Sequence, residues 1–137
     1  MPIIRQKWIT REDVKANRDC VYVFGDNMAR FGRGGQAAAM RGEPNSLGIP
    51  TKWLPDNRPN SYFSDSQFDA GSVVWLTLSA AFTQLQEVLN EGYTVVIPSD
   101  GLGTGLSRLP DCAPKIAAWI DEQIVLLEQK FGSNHAQ

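Results

Sequence analysis

Two glycine-rich stretches hold most of the chemistry this sequence offers. Residues 25–35 read GDNMARFGRGG and residues 98–110 read PSDGLGTGLSRLP. Glycine lets main-chain N–H groups approach a ligand closely and point the same way. A helix start that follows such a loop adds partial positive charge. Two loops of this kind facing each other suit a diphosphate. Neither contains the GK[ST] of a phosphate-binding loop or the GxGxxG of a dinucleotide fold, and the plain alternative is that the glycines only serve tight turns. Cys20, Cys112 and His135 are too few and too scattered for a disulfide scaffold, a zinc site or a Cys–His pair, so no metal is expected.

The elements that must position these loops follow from local pattern. Residues 20–24 (CVYVF) and 93–97 (YTVVI) are short, β-branched and aromatic, as buried strands are. Each runs directly into one of the glycine stretches. The first stretch empties into QAAAM, a strong helix former. Residues 46–53 hold a short strand interrupted by Pro50, and residues 54–70 form a long polar connection. A helix starts at Thr10, with Asp13 three residues on as a capping partner. Residues 72–90 carry a helical stripe of Val73, Leu76, Ala80, Leu85, Val88 and Leu89, with Gly92 at the stop. A long helix runs over 111–131, with Asp111 as N-cap and Pro114 near its start. Trp8, Trp75 and Trp119 read as core, and the two cysteines as buried thiols. Strand, glycine loop and helix in alternation predict an α/β domain, with ligands held at the carboxyl ends of the strands.

Composition narrows the partners. Thirteen basic against fifteen acidic residues leave a formal charge of −2, which argues against holding nucleic acid by bulk positive charge. The longest apolar-rich stretch, residues 73–82, is short of the roughly 20 residues that span a bilayer, and the N-terminus lacks a secretion signal. The chain therefore reads as one cytoplasmic domain over residues 1–132, monomeric, with a disordered tail over 133–137.

The order of segments resembles the macrodomain superfamily, which binds ADP-ribose. VYVFGDNMARFGRGGQAAA is similar to the macrodomain strand that ends in Asn and enters a glycine loop. VVIPSDGLGTGLSRLPDCAPKIAAWI is similar to its later strand, diphosphate loop and final helix. GIPTKW is similar to the phenylalanine–proline–threonine–lysine segment of the DNA ADP-ribosyl glycohydrolase antitoxins, and the related terminal ADP-ribose protein glycohydrolases carry a lysine in the same region. The resemblance implies a three-layer α-β-α sandwich with a mixed, mostly parallel sheet. It implies that Asn27 contacts the distal ribose, whose hydroxyls an amide can both donate to and accept from. Asp26 either orients Asn27, holds a hydroxyl or serves the turn. Gly32, Gly34 and Gly35 let the first loop close over ribose and phosphates, and Arg33 either screens the diphosphate or is solvated. Arg30 and Arg41 read as surface residues. Gly101, Leu102, Gly103, Thr104, Gly105 and Leu106 form the diphosphate cradle.

Within the same resemblance, Thr51 and Lys52 fall in the motif, and the lysine works at the anomeric carbon. Attack there needs a neutral amine, so burial or a neighbouring cation must lower its pKa from about 10.4. Ile49 and Trp53 offer apolar walls, and Arg108 offers the cation. Ser107 stands where the protein glycohydrolases have an acidic residue and the antitoxins commonly have Gly. A hydroxyl does not replace a carboxylate as general acid or base, and Asp100 is the candidate substitute. The expected function is an ADP-ribosyl hydrolase acting on a modified protein, DNA or small derivative, with no cofactor. Two rivals are a non-catalytic module that reads ADP-ribose or a related nucleotide, and a nucleic-acid or protein interaction domain using Phe31, Trp53, Tyr62 and Phe63.

Overall fold

β-Branched and aromatic residues alternate along the central strands and divide the interior into two layers. On β2 (Cys20–Asn27), Val23 faces one core while Tyr22 and Phe24 face the other; on β4 (Thr94–Pro98), Val95 and Ile97 oppose Val96 in the same way. The structure, a computed structural model, describes residues 2–136. With β1 (Ile3–Gln6), β3 (Ser46–Lys52) and β5 (Ser133–Ala136), these strands make one sheet in the order β3-β2-β4-β1-β5. Every strand pair is parallel. Among the described residues the antiparallel element is an isolated bridge between Lys52 and Tyr62.

Helices cover both faces. The smaller core lies under α1 (Arg11–Ala16) and α2 (Ala37–Met40), and the larger under α3 (Val73–Asn90) and α5 (Pro114–Phe131). The crossovers from β1 to β2 and from β2 to β3 step one way along the sheet; those from β3 to β4 and from β4 to β5 step back. Parallel crossovers keep one hand, so reversing direction moves the helices to the opposite face. β2 and β4 are neighbours on either side of that reversal, and their outgoing chains part to opposite faces. An open crevice forms at such a point.

Caps fix the helix ends. Thr10 and Asp13 form the expected reciprocal cap on α1, and Ser72 caps α3 through Trp75 N. The long helix expected from Asp111 is instead two. Asp111 lies inside the short α4 (Leu109–Cys112), and the chain breaks at Ala113 (φ −148°, ψ 69°) before α5 begins at Pro114. Ala113 has no side chain with which to cap. Asp65, from the distant connection, does so instead, accepting from Lys115 N at 3.0 Å and Ile116 N at 3.2 Å.

Other expectations shift. The buried stripe of α3 is Val74, Leu78, Ala81, Phe82, Leu85 and Leu89, while Val73 and Leu76 face outward. Trp8 is 75% exposed rather than core, Trp75 and Trp119 are half-buried, and both cysteines are free and half-buried. The segment expected to be a disordered tail forms β5 on the edge of β1 as far as Ala136; Gln137 lies outside the described residues. The other sheet edge, β3, is blocked. Arg30 Nη1 donates to Gly48 O at 2.6 Å, Pro50 has no N–H to offer, and Tyr62 pairs with Lys52. No helix among the described residues is long and apolar enough to cross a membrane.

Replacing Asp65 with Ala strips the α5 start of its cap. The expected loss is about 1 kcal/mol, read as a lower urea midpoint at unchanged slope; an unshifted midpoint contradicts the role.

Candidate functional site

The crevice between β2 and β4 is where the two glycine loops meet, and one side chain ties them. Gly25 N donates to Gln36 Oε1 at 2.8 Å, and Gln36 Nε2 donates to Gly101 O at 3.1 Å. Sequence reading missed Gln36, whose only local signal is its place between two glycines and a helix. Gly103 completes the approach. It holds a left-handed φ of 75°, and a Cβ there would come within 3.0 Å of both Leu109 and Thr51 side-chain atoms. Among the described residues, no main-chain N–H of residues 102–107 or of residues 31–36 donates to a protein acceptor. Both loops thus keep donors in reserve.

The cavity between the loops is lined by Asp26, Asn27, Gly32, Gly34, Arg41, Lys52, Leu106 and Ser107, among others, and holds about 80 Å3. An adjoining cavity of about 170 Å3 shares Gly25, Gly34, Leu106 and Ser107 and adds Gly35, Asp100, Gly103, Thr104 and Gly105. Leu106 divides them. Its Cδ1 rests where a Cβ on Gly34 would be only 2.9 Å away. Ligand pockets are usually ~300–1,000 Å3, so an extended ligand needs Leu106 to swing aside and join the two compartments. Leu106 is an exposed residue.

Asn27 is buried, and its two amide atoms are treated differently. Nδ2 donates to Phe31 O at 2.8 Å; Oδ1 has no partner. A buried acceptor left unpaired costs about 1–3 kcal/mol, and the residue that carries it lines the cavity between the loops. Asp26 is the residue that orients it: Asn27 N donates to Asp26 Oδ1 at 2.8 Å. The rest of that carboxylate is spent on a short ion pair with Arg41 and a longer one with Arg30 at 3.4 Å. Arg41 also donates from Nε to Gly32 O at 2.5 Å. Arg41 is therefore part of the cleft and a brace for the first loop, not the surface residue expected. Arg33 goes the other way: it is exposed and lines neither cavity.

Ser107, buried, bonds Thr51 Oγ1 at 2.6 Å, and Thr51 in turn reaches Asp26 O at 3.2 Å. The hydroxyl standing in for a carboxylate thus fastens the second loop to β3. Asp100 is exposed and lies in the compartment beyond Leu106, apart from Lys52. Leu102 gives only its main chain to the loop, because its side chain is in the core.

Lys52 is buried at the end of β3, its Nζ donating to Asp56 O at 2.7 Å and lying 4.5 Å from the Tyr62 ring centre. Burial pushes its pKa below the ordinary value, opposed by the nearby Asp56 carboxylate and the Cys112 thiol. Arg108 is not the cation responsible: burial lowers the lysine's pKa, and the charged groups that act on it are Asp56 and Cys112. Asp56 is held in turn: Arg58 and Ser61 bond its carboxylate and keep its pKa below the usual carboxylate range. The connection over residues 54–70 is thereby folded onto Lys52. Trp53 packs edge-on against Phe63, 5.3 Å between ring centres.

A family model described as "Family of unknown function (DUF7831)" matches residues 4–123, and the chain belongs to that family. No curated protein and no solved structure matches the chain.

The buried amine has a consequence for stability. With the folded pKa below the unfolded value of about 10.4, the native state binds fewer protons between the two, and stability rises with pH through that window. Below it, the ammonium's burial is a standing penalty. Lys52→Met is expected to raise the urea midpoint at pH 7, with the gain shrinking as pH approaches 10; a lowered midpoint at pH 7 contradicts this.

Proposed function

We propose that this member of the DUF7831 family binds ADP-ribose in the crevice between β2 and β4 and cleaves the bond at its anomeric carbon. The observation that carries the reading is the orphaned, buried Oδ1 of Asn27 beside two loops with unspent N–H donors. An atom that can only accept calls for a hydroxyl, and rows of free N–H groups call for oxyanions. A ribose joined to a diphosphate presents both. The macrodomain-like segments supply the same ligand independently.

Lys52 lines the compartment that holds Asn27. In the neutral form its Nζ lone pair attacks the anomeric carbon. A C–N bond forms, the bond to the attached group breaks, and the electron pair leaves with that group. Nζ becomes a secondary ammonium, and one of its protons passes to the departing atom, leaving a neutral C–N adduct. Water then displaces the lysine, releasing ADP-ribose and restoring the amine. Asn27 holds the sugar hydroxyls, and Asp26 and Arg41 hold Asn27's loop. Burial of Lys52 favours the reactive form.

A second reading, recognition of ADP-ribose without cleavage, is favoured by one observation. The sole carboxylate lining the Lys52 compartment is Asp26, which is paired with Arg41 and Arg30.

Calorimetry should find one saturable site for ADP-ribose, weakened about tenfold or more by Asn27→Ala through loss of a buried hydrogen bond. Lys52→Ala should keep the site and abolish turnover of ADP-ribosylated substrates, and wild-type turnover should rise with pH as the amine loses its proton. Absence of ADP-ribose binding ends the reading; binding without turnover on any linkage selects the second one.

A further inference from the structure

Beyond the Tyr62 ring lies a separate cavity of about 680 Å3, lined by Asn57, Pro59, Tyr62, Ser64, Arg108 and Cys112 among others. It is larger than the cleft itself, and it shares none of the residues that line either compartment between the glycine loops. The Tyr62 ring, which lines this cavity, is in reach of two cations. Lys52 Nζ lies 4.5 Å from the ring centre and Arg108 Cζ 5.9 Å from it. The Cys112 thiol is within electrostatic reach of Lys52.

The charge in this cavity has one sign. Arg108 is its only charged lining residue, and among the described residues its guanidinium has no carboxylate within ion-pair distance and no side-chain hydrogen bond. The nearest other cation on the connection, Arg58, is already spent on Asp56. Arg108 also holds a left-handed backbone, φ 49°, which a residue with a side chain adopts at a cost. The turn is fixed by Arg108 N donating to Gly105 O at 3.0 Å, while Asp111 N and Cys112 N donate to Arg108 O at 3.1 and 2.9 Å. The strained residue is therefore a long cation whose contact is the Tyr62 ring, with no acceptor for its N–H groups, in a cavity that Asn57 also lines. Donors without acceptors, and a positive charge without a negative one, fit an anion.

We propose that the Tyr62–Arg108 cavity is a second binding site, for a single carboxylate or phosphate group, and that it seats the portion of the substrate that departs when the bond beside Lys52 is broken. The second half of this statement rests on the proposed function; the anion site does not. One unpaired arginine in a chain of net charge −2 suits one acidic group, and not a polynucleotide backbone, which demands several cations.

Cys112 lets the site be read directly. Its thiol lines the cavity and is alkylated by neutral iodoacetamide or by anionic iodoacetate. Cys20 is the internal reference, with its Sγ 4.0 Å from Asp19 Oδ1, where an anion is repelled. At low salt the iodoacetate-to-iodoacetamide rate ratio at Cys112 should exceed that at Cys20 by roughly tenfold, the lower end of electrostatic enhancement. Arg108→Gln should bring it down to the Cys20 value, while Arg108→Lys keeps it high and added salt erodes it. Equal ratios at the two cysteines in the wild type, or a ratio indifferent to Arg108→Gln, overturns the site. None of this needs ADP-ribose, so failure of that ligand to bind is a separate result. Where ADP-ribose does bind, saturating amounts should leave the preference at Cys112 in place. Complete protection of Cys112 assigns Arg108 to the diphosphate and overturns a distinct anion site.

Discussion

The chain leaving β2 turns toward one face of the sheet and the chain leaving β4 toward the other, although the two strands are hydrogen-bonded neighbours. A gap between their loops is unavoidable, and the sequence fills it with main chain. Glycines let the loops come close enough for a single amide, that of Gln36, to span them. From this parting follow the unpaired N–H groups, the placement of Asn27 at the strand end and the position of Leu106 on both compartments. The fold supplies a cleft floor that is polar through its backbone, with few charged side chains committed to it.

Two buried charges sit at this floor and are handled oppositely. Asp26 is surrounded: two arginines and one main-chain N–H satisfy it, and Gly48 on β3 leaves room for its carboxylate, which a Cβ there would overlap. Lys52 is left without a matching carboxylate bond, holding only a carbonyl and a ring face. A buried ion with full partners braces structure, and one without them is pushed toward neutrality. A single compartment thus holds one charge that is fully paired and one that is not. The contrast also explains why the connection over residues 54–70 is elaborate: the Asp56–Arg58–Ser61 knot fixes the one carbonyl that Lys52 can reach.

Much of the architecture was legible because strands and loops announce themselves locally. CVYVF and YTVVI, each leading into a glycine-rich stretch, marked two strands and the strand ends at which the crevice lies. The α3 face was read correctly at Leu85 and Leu89 and off at its start, where Val73 and Leu76 are apolar but exposed and Val74 and Leu78 are the buried ones. β5 was illegible since its ladder with β1 uses main-chain groups that any side chains allow. The 111–131 helix was split by a backbone break at Ala113 and capped from Asp65, fifty positions upstream of Lys115. Gln36 and Arg41 escaped for the same reason. Their partners, Gly101 and Asp26, come together only in three dimensions, and neither pairing leaves a trace in residue spacing.

The closed border of β3 reaches past the ligand question. Sheets of parallel strands expose a row of unsatisfied groups at each flank, and a bare flank is a template on which another chain can crystallise into fibrillar stacks. On the β3 side that row is interrupted by a guanidinium, an imino ring and a tyrosine bridge in succession. The tyrosine is the same one that shelters Lys52. One aromatic side chain thus closes the sheet's border and covers the buried amine, so its removal would open both at once.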